Sequence, residues 1–369
     1  MSGPAYPELG CYGLAGHTET PRDLIAECVR AEELGLGSVF LSERFNVKDA
    51  GALAGAAAAV TEHIGIGTAA TNPNTRHPLV TATMAATVHA LACGRYAFGL
   101  GRGFDMLFDV MGLPRVTSAQ LEDAVTVLRT LWRGEAVTGY DGPLGSLPYL
   151  SQGQAAGDIP VLMTAIGDRS LALAGRLADG VVLHTFLTDE ALARSVSIIR
   201  RSAEAAGRDP GSVRVWAVLA TVEESLDEGT RLRKLVGRLA TYLQGYGGVL
   251  VTANGWDPAV LETFREHPLV RGYPGAFDAI GTTDELTRLR EEVLPAEWLA
   301  ASATGSARTC AARILDQLDA GADSVILHGA TPDELAPVVA AWADVRPGGR
   351  WDDLPANPGW RHRSPRLAG

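Results

Sequence analysis

Short apolar runs alternate with longer amphipathic segments along most of the chain. The runs have the length of buried strands, and in the longer segments apolar residues recur with the period of a helix that buries one face. This pattern predicts eight strands, at residues 9–14, 38–41, 64–69, 95–100, 161–164, 180–184, 212–222 and 324–328. It predicts a helix after each, at residues 21–34, 50–61, 77–91, 118–132, 168–178, 190–206, 306–320 and 332–342.

The alternation favours an α/β fold, a (β/α)8 TIM barrel with insertions that spans residues 1–345. Eight units in 369 residues leave about 46 residues for each, which is enough for such a barrel. A doubly wound sheet is the competing fold, but it normally carries GxGxxG after its first strand. The turn at that place reads GLAGH at residues 13–17, which does not match.

Three stretches interrupt the alternation. Residues 135–158 are Gly-rich and polar, which predicts an inserted loop or hairpin. Residues 226–303 are too long for one crossover and contain helical pieces and the turn-rich run 245–256, so we expect a functional insertion. The tail 346–369 is rich in Pro, Arg, Gly and Trp. It is expected to be extended over the surface or disordered.

Composition narrows the class of partner. Hydrophobic residues make up 46% of the chain, which excludes global disorder. With 43 acidic and 32 basic residues the net charge is −11, which argues against nucleic acid or an anionic membrane as the main partner. The four cysteines lack zinc or disulfide spacing, and the start of the chain lacks a signal-peptide pattern, so we expect a cytoplasmic protein that acts on small molecules.

Several common site motifs are absent from the sequence. It contains no HxH or HExxH pair for a metal, no GxSxG elbow and no GxxxxGK[ST] loop. His184 and His328 each end a predicted strand and could line a barrel mouth. The simpler interpretation is that both are satisfied structural histidines.

In a barrel of this kind the active site lies at the carboxyl ends of the strands. After the second strand come Glu43 and Arg44, either a structural ion pair or a carboxylate and guanidinium that contact a polar ring. After the third strand the small residues Ala69 and Ala70 permit close approach of a flat ligand. The residues that follow, Thr71 and Asn72 among them, are also typical of a simple turn with caps.

The fourth and fifth strands end in further candidate ligand loops. Gly101, Arg102 and Gly103 combine exposed backbone amides with a guanidinium suited to phosphate or carboxylate. The loop at residues 164–167 opens a helix whose free amides can bind an anion, and consists of Thr164, Ala165, Ile166 and Gly167. Asp168 can equally be a plain helix cap.

Taken together, these segments resemble the luciferase-like monooxygenase family. The strongest resemblance lies at residues 64–103, IGIGTAATNPNTRHPLVTATMAATVHALACGRYAFGLGRG, with a small-residue bulge, an HP helix start and a GR[FY]xxGxGxG loop. Supporting segments are GLGSVFLSERF at 35–45, IPVLMTAIGDRSLALAGRLADGVV at 159–182 and GADSVILH at 321–328. The resemblance leaves out residues 226–303 and the tail.

The resemblance implies a (β/α)8 barrel that binds FMN or the deazaflavin coenzyme F420 at the mouth. It implies a non-proline cis peptide at Ala69–Ala70, in a bulge that backs the middle ring of the cofactor. It also implies that residues 101–103 and 165–167 hold the cofactor tail, with Arg102 as a phosphate or ribityl-chain ligand.

One departure from the family pattern concerns the pair after strand two. Many members have Asp-His or Glu-His there, whereas this chain has Glu43 and Arg44. Arginine stays protonated, so Arg44 can stabilise a developing anion but is a poor base. Glu43 would then be the nearby group able to carry a proton.

The resemblance leaves the function with three alternatives. We favour an F420-dependent oxidoreductase that transfers a hydride to or from a small organic substrate. The others are an FMN-dependent monooxygenase and a barrel that binds a flavin-like ligand without turnover. In the long insertion we expect Tyr246 and Trp256 to contact substrate. Family members often form homodimers, and helix 50–61 could pack closely in one.

Overall fold

The computed structural model describes residues 3–16, 20–44 and 47–362 of the chain. Its strands are β1 (Tyr6–Tyr12), β2 (Leu36–Leu41), β3 (Gly65–Thr68), β4 (Tyr96–Leu100), β5 (Val137–Gly142), β6 (Gly145–Leu150), β7 (Val161–Thr164), β8 (Gly180–Val182), β9 (Arg214–Glu223), β10 (Ala303–Gly305) and β11 (Ser324–His328).

Helices occupy most of the remaining described chain. They are α1 (Asp23–Glu33), α2 (Ala50–Val60), α3 (Pro78–Leu91), α4 (Asp105–Met111), α5 (Ser118–Trp132), α6 (Asp168–Leu177), α7 (Asp189–Ala205), α8 (Glu228–Leu232), α9 (Arg238–Asn254), α10 (Pro258–Glu266), α11 (Phe277–Ile280), α12 (Thr283–Glu292), α13 (Ala296–Leu299), α14 (Ala307–Asp319) and α15 (Pro332–Val345). No helix in these described ranges is both long and apolar enough to cross a bilayer.

Eight parallel strands close into the predicted (β/α)8 barrel. Their order around the barrel is β1, β2, β3, β4, β7, β8, β9 and β11, and β11 pairs with β1 to complete the circle. Strand β10 runs beside the last residues of β9. Because all eight strands run the same way, the loops after them meet at one end of the barrel, which we call the mouth.

Large and small side chains together fill the barrel interior. Phe40 packs edge-on against Trp216 with ring centroids 4.8 Å apart. The other residues of this interior cluster are Ala69, Ala97, Leu162, Val182, Val218 and Ile326. Since the interior is a packed core, a ligand of the barrel must bind above it, at the mouth.

The two insertions have different structures. Within residues 135–158 the strands β5 and β6 form an antiparallel hairpin. In the second insertion the structure corrects the turn-rich run expected at 245–256, because α9 continues through it to Asn254. Two of its glycines provide close contacts instead of turns. An added Cβ at Gly245 would lie 2.7 Å from the Phe104 ring, and one at Gly247 would lie 2.7 Å from Leu261.

The tail also differs from the expectation that it lies over the surface or is disordered. As far as the described residues reach, it packs beneath the barrel at the end opposite the mouth. The buried Arg214 guanidinium donates hydrogen bonds to the carbonyls of Pro355 and Asn357, both at 3.1 Å. The same side chain lies over the Trp216 ring, 4.3 Å from its centroid, and burial lowers the pKa of Arg214 to about 9.

Replacement of Arg214 by Met is expected to destabilise the whole barrel. The substitution leaves several buried carbonyls without a donor, so the free energy of unfolding should fall by at least about 3 kcal/mol. Urea denaturation followed by circular dichroism measures it. Arg265→Met is the control, since Arg265 forms an exposed pair with Glu262 and should cost less than about 1 kcal/mol. Equal losses in the two variants would contradict this account of the tail.

Candidate active site at the barrel mouth

A small-residue bulge follows β3 at the mouth. The peptide bond between Ala69 and Ala70 is cis. On one side of the bulge the Ala69 amide donates to the Leu41 carbonyl at 2.8 Å, and on the other side the Thr71 amide donates to the Gly99 carbonyl at 3.0 Å. The bulge is therefore held between the strands on both sides.

Ala70, Gly101 and Thr164 come together at the mouth, and we call these three residues the small-residue floor. A Cβ added to Gly101 would lie 3.2 Å from the Ala70 Cβ and only 2.3 Å from Thr164 Oγ1. Beside them, Ala69 points into the barrel interior. The floor thus offers a flat surface that any larger side chain would disrupt.

Asn72 is buried and serves the turn after the bulge. Its Oδ1 accepts the amides of Asn74 at 2.8 Å and Thr75 at 3.1 Å. These bonds match the interpretation of this segment as a turn with caps. They leave the Asn72 side chain engaged within its own loop.

Glu43 is paired, but its partner is Arg76 and not the expected Arg44. The Glu43 side chain is 3% exposed and accepts hydrogen bonds from both terminal nitrogens of Arg76, one at 3.1 Å. It also accepts the hydroxyl of Thr71 and the amide of Ala50. These bonds raise the pKa of the Arg76 guanidinium. Glu43 therefore anchors the bulge and the start of α2.

Arg44 faces the long insertion. Its neighbours include Arg238, the first residue of α9, and Asp278, which pairs with Arg238 at 3.1 Å. Burial, and then repulsion from Arg238, lowers the pKa of Arg44. A guanidinium nevertheless stays charged near neutral pH, so Arg44 supplies positive charge to this side of the mouth.

Arg102 lies on an exposed part of the loop after β4. Its Nε and Nη2 donate to the Val116 carbonyl at 3.2 and 3.0 Å. Gly103 follows with φ +68°, a conformation that favours glycine. The loop holds its guanidinium at the rim of the mouth.

The loop after β7 leads directly into α6. The Ala165 amide donates to the Val182 carbonyl at 3.1 Å, and Ile166 packs against the main core. Gly167 precedes the helix and provides no side-chain cap. The first amides of α6 thus resemble the helix N-termini that bind phosphate and carboxylate groups.

Helix α9 crosses the mouth as a cover. Tyr246 stacks on Phe104 with ring centroids 4.2 Å apart and contacts His184 edge-on at 5.5 Å. Val249 lies one helical turn further along. A Cβ added to Gly167 would lie 3.8 Å from its Cγ1, so α9 passes over the start of α6. Helix α9 thus places Tyr246 at the mouth, and its expected contact with substrate stays a prediction.

Two histidines line the mouth beneath α9. The Tyr242 hydroxyl lies 3.3 Å from His328 Nε2, and Tyr12 contacts the same imidazole edge-on at 5.3 Å. Nδ1 of His328 is buried and has no hydrogen-bond partner among the described residues. Burial lowers the pKa of His184, and burial together with repulsion from Arg238 lowers that of His328 further. Both imidazoles are therefore neutral at pH 7.

Trp256 lies apart from this group. It stacks on the buried Trp298 with ring centroids 4.5 Å apart and an interplanar angle of 9°. It follows the end of α9 at Asn254, whereas Tyr246 lies within the helix. This position indicates a packing role for Trp256 in the insertion, and its expected contact with substrate stays a prediction.

Tyr12 and Arg238 also lie at the mouth, although neither was predicted there from the sequence. Tyr12 ends β1, so the rule already applied to the other strand ends would have found it. Arg238 has no comparable local signal, because its place depends on how the insertion folds back over the barrel. No group of His, Cys, Asp or Glu in the described part of the chain could hold a metal ion.

The sequence is similar to a known protein family and to individual members with assigned activities. The sequence model of the family described as luciferase-like monooxygenase matches residues 7–324. The chain is 28% identical over 302 residues to a 5,10-methylenetetrahydromethanopterin reductase from Methanolobus tindarius, across 80% of this chain and 86% of that protein. It is 27% identical over 348 residues to an F420-dependent glucose-6-phosphate dehydrogenase from Intrasporangium calvum, across 89% and 95%.

A solved structure supports the barrel fold. The coenzyme F420-dependent tetrahydromethanopterin reductase from Methanopyrus kandleri superimposes with a TM-score of 0.73 at 22% identity. The match covers 92% of this chain and 98% of the other.

Substitution of Glu43 by Gln is expected to loosen the mouth. The change removes the charge from a buried carboxylate that several donors surround, so the free energy of unfolding should fall by at least about 2 kcal/mol. Asp49→Asn is the matched control, because Asp49 is the exposed partner of Arg76 and Asn keeps the cap of α2; it should cost under about 1 kcal/mol. Thermal and urea denaturation compare the two. A larger loss in the Asp49 variant would show that Glu43 is not the anchor.

Proposed function

Since the chain belongs to the luciferase-like monooxygenase family, we propose that it is an F420-dependent oxidoreductase. It transfers a hydride between coenzyme F420 and a small organic substrate at the mouth of the barrel. The observation that carries the proposal is the small-residue floor, with the uncapped start of α6 beside it and α9 above it. The two F420-associated names among the relatives support F420 over FMN.

The residues at the mouth fit a planar cofactor with an anionic tail. Ala69 and Ala70 would back the ring, and the glycines at 101 and 103 allow backbone approach to it. The first turn of α6 would hold the phosphate of the tail. When bound, F420 supplies a two-electron hydride donor or acceptor.

The protein's own side chains then have separate tasks. Arg44 stabilises negative charge that develops on the substrate or ring, because it cannot lose its proton near neutral pH. Tyr242 and Tyr246 on α9 exclude water. Glu43, expected as the proton carrier, becomes a positioning residue because protein donors occupy its carboxylate. Proton transfer is assigned to the neutral His328, next to the Tyr242 hydroxyl.

Titration of the purified protein with F420 and with FMN, side by side, tests the proposal. Cofactor fluorescence should report micromolar binding of F420 and binding of FMN at least about tenfold weaker. Gly101→Ala should weaken F420 binding at least about tenfold, because the new methyl group would meet Thr164 at the floor.

Gly348→Ala is the control for the Gly101 variant, since an added Cβ there meets nothing within 4 Å. It should bind F420 like the native protein. Tighter binding of FMN than of F420 would favour the monooxygenase alternative. Unchanged F420 affinity in the Gly101 variant would exclude the floor as the cofactor site.

We further propose that the protein is a homodimer in the cytoplasm. The outward face of α2 consists of small residues, and the neighbouring α3 exposes Val80 and Leu91, each at 56%. These features suit close helix packing between copies. The four free thiols are compatible with a reducing compartment.

Analytical ultracentrifugation should give a molecular mass twice the 38.8 kDa of one chain. The Val80→Asp variant should have the mass of a single chain, because a buried charge at the interface would prevent association. A native monomer would contradict the dimer.

A further inference from the structure

Three cationic side chains gather on one side of the mouth, and we call Arg44, Lys48 and Arg238 the cation cluster. Arg44 and Lys48 lie on the connection from β2 to α2 and are joined by two backbone hydrogen bonds of 3.1 and 2.8 Å. Arg238 approaches from the insertion, with its side chain only 7% exposed. The cluster is therefore built from parts of the chain about 190 residues apart in sequence.

The local structure of the insertion places Arg238 there. A π-helical turn, Arg233–Gly237, joins α8 to α9 directly before it. An added Cβ at Gly237 would lie 3.1 Å from Asp278 Cα, so glycine permits contact with the segment that carries Asp278. Such π-turns are frequent at functional sites.

Within the described part of the chain, positive charge exceeds negative charge at the cluster. The carboxylates that act on Arg44 and Lys48 there are Asp278 and Glu27. Asp278 pairs with Arg238 and also accepts the Thr241 hydroxyl at 2.9 Å. Glu27 accepts the Leu14 amide at 2.6 Å. Among the described residues, three cations thus face two carboxylates, in a chain whose net charge is −11.

The members of the cluster repel one another. Burial, followed by the charges of Arg44 and Arg238, lowers the pKa of Lys48 to about 8, while Glu27 acts in the opposite direction. The Lys48 amine donates to the Leu14 carbonyl at 3.3 Å. Partly buried like charges are costly unless an anion offsets them.

The cluster is separate from the site assigned to the cofactor tail. Eleven residues of α9 separate Arg238 from Val249, which lies over the start of α6. This span corresponds to about 16 Å along the helix axis. The small-residue floor and the histidines lie between the two places, so a group bound at the cluster would reach the ring from the opposite side.

We propose that the cation cluster binds a carboxylate or phosphate group of the substrate, which makes the substrate class small organic anions. The inference rests on the proposed function for the identity of the reaction. Arg44 and Lys48 hold the anionic group at the mouth, and Arg238 contributes charge from above. An arginine fork and a lysine amine are suited to such groups.

Sulfate serves as the test anion, because it stays doubly charged across the useful pH range. Calorimetric titration at low salt should detect sulfate binding both without F420 and after saturation with F420. Lys48→Gln should weaken it at least about tenfold. Arg44→Gln is a second variant that leaves the Arg238–Asp278 pair intact. Arg265→Gln, at an exposed pair far along the insertion, should leave it unchanged.

The pH dependence gives an independent measurement. Lys48 is charged below pH of about 8 and neutral above it, so sulfate affinity should fall as pH rises through 8. Lys48→Gln should remove this inflection. Competition by acetate or by phosphate then distinguishes a carboxylate from a phosphate site.

Two results would overturn the inference. One is native sulfate affinity in both the Lys48 and Arg44 variants. The other is complete loss of sulfate binding on F420 saturation, which would place the anion at the cofactor tail. Lys48-dependent sulfate binding in a protein that fails to bind F420 would support the cluster and refute only the proposed function.

Discussion

Compensation of the buried Glu43 carboxylate is the constraint on which the geometry of the mouth depends. A carboxylate with a side chain 3% exposed requires charged and hydrogen-bonded partners. Arg76 reaches it from the turn before α3, Thr71 from the bulge, and Ala50 from the start of α2. One charge thereby joins the β2–α2 connection to the β3–α3 connection at the strand ends. Together with the backbone bonds to Leu41 and Gly99, this bonding holds the bulge that carries Ala70 of the small-residue floor.

Local pattern was sufficient for most of the barrel but not for groups whose partners are distant in sequence. The predicted strands 161–164 and 324–328 and the helix 118–132 coincide with β7, β11 and α5. Strand β1 starts at Tyr6, earlier than the predicted residue 9. The sequence pattern places the start too late because the polar Glu8 interrupts the apolar run. Glu8 is buried against Trp342 and Arg346, more than 330 positions later, and the sequence near β1 contains no sign of those partners.

The insertion was the least predictable part, for a related reason. Glycines at 245, 247 and 248 are typical of turns, yet they lie inside α9. Those at 245 and 247 allow the helix to pack closely on Phe104 and Leu261. Each glycine inside a helix lowers the stability of that helix by up to about 1 kcal/mol relative to alanine. Tertiary packing of α9 outweighs this cost. The same packing brings Tyr242 to His328, so the environment of that histidine could not be deduced from its position at a strand end.

The arginine at position 44 changes how charge and protons are divided at the mouth. A histidine there could both bind an anion and transfer a proton, whereas a permanent cation can only do the first. In the proposed function the proton-transfer task falls to a neutral group, and burial, together with repulsion from Arg238 and Arg44, keeps His328 neutral by lowering its pKa. In the proposed arrangement, an anionic substrate at the cation cluster offsets that repulsion and raises the pKa of His328. Substrate binding would thus make the histidine a better proton acceptor at the moment when the reaction requires one.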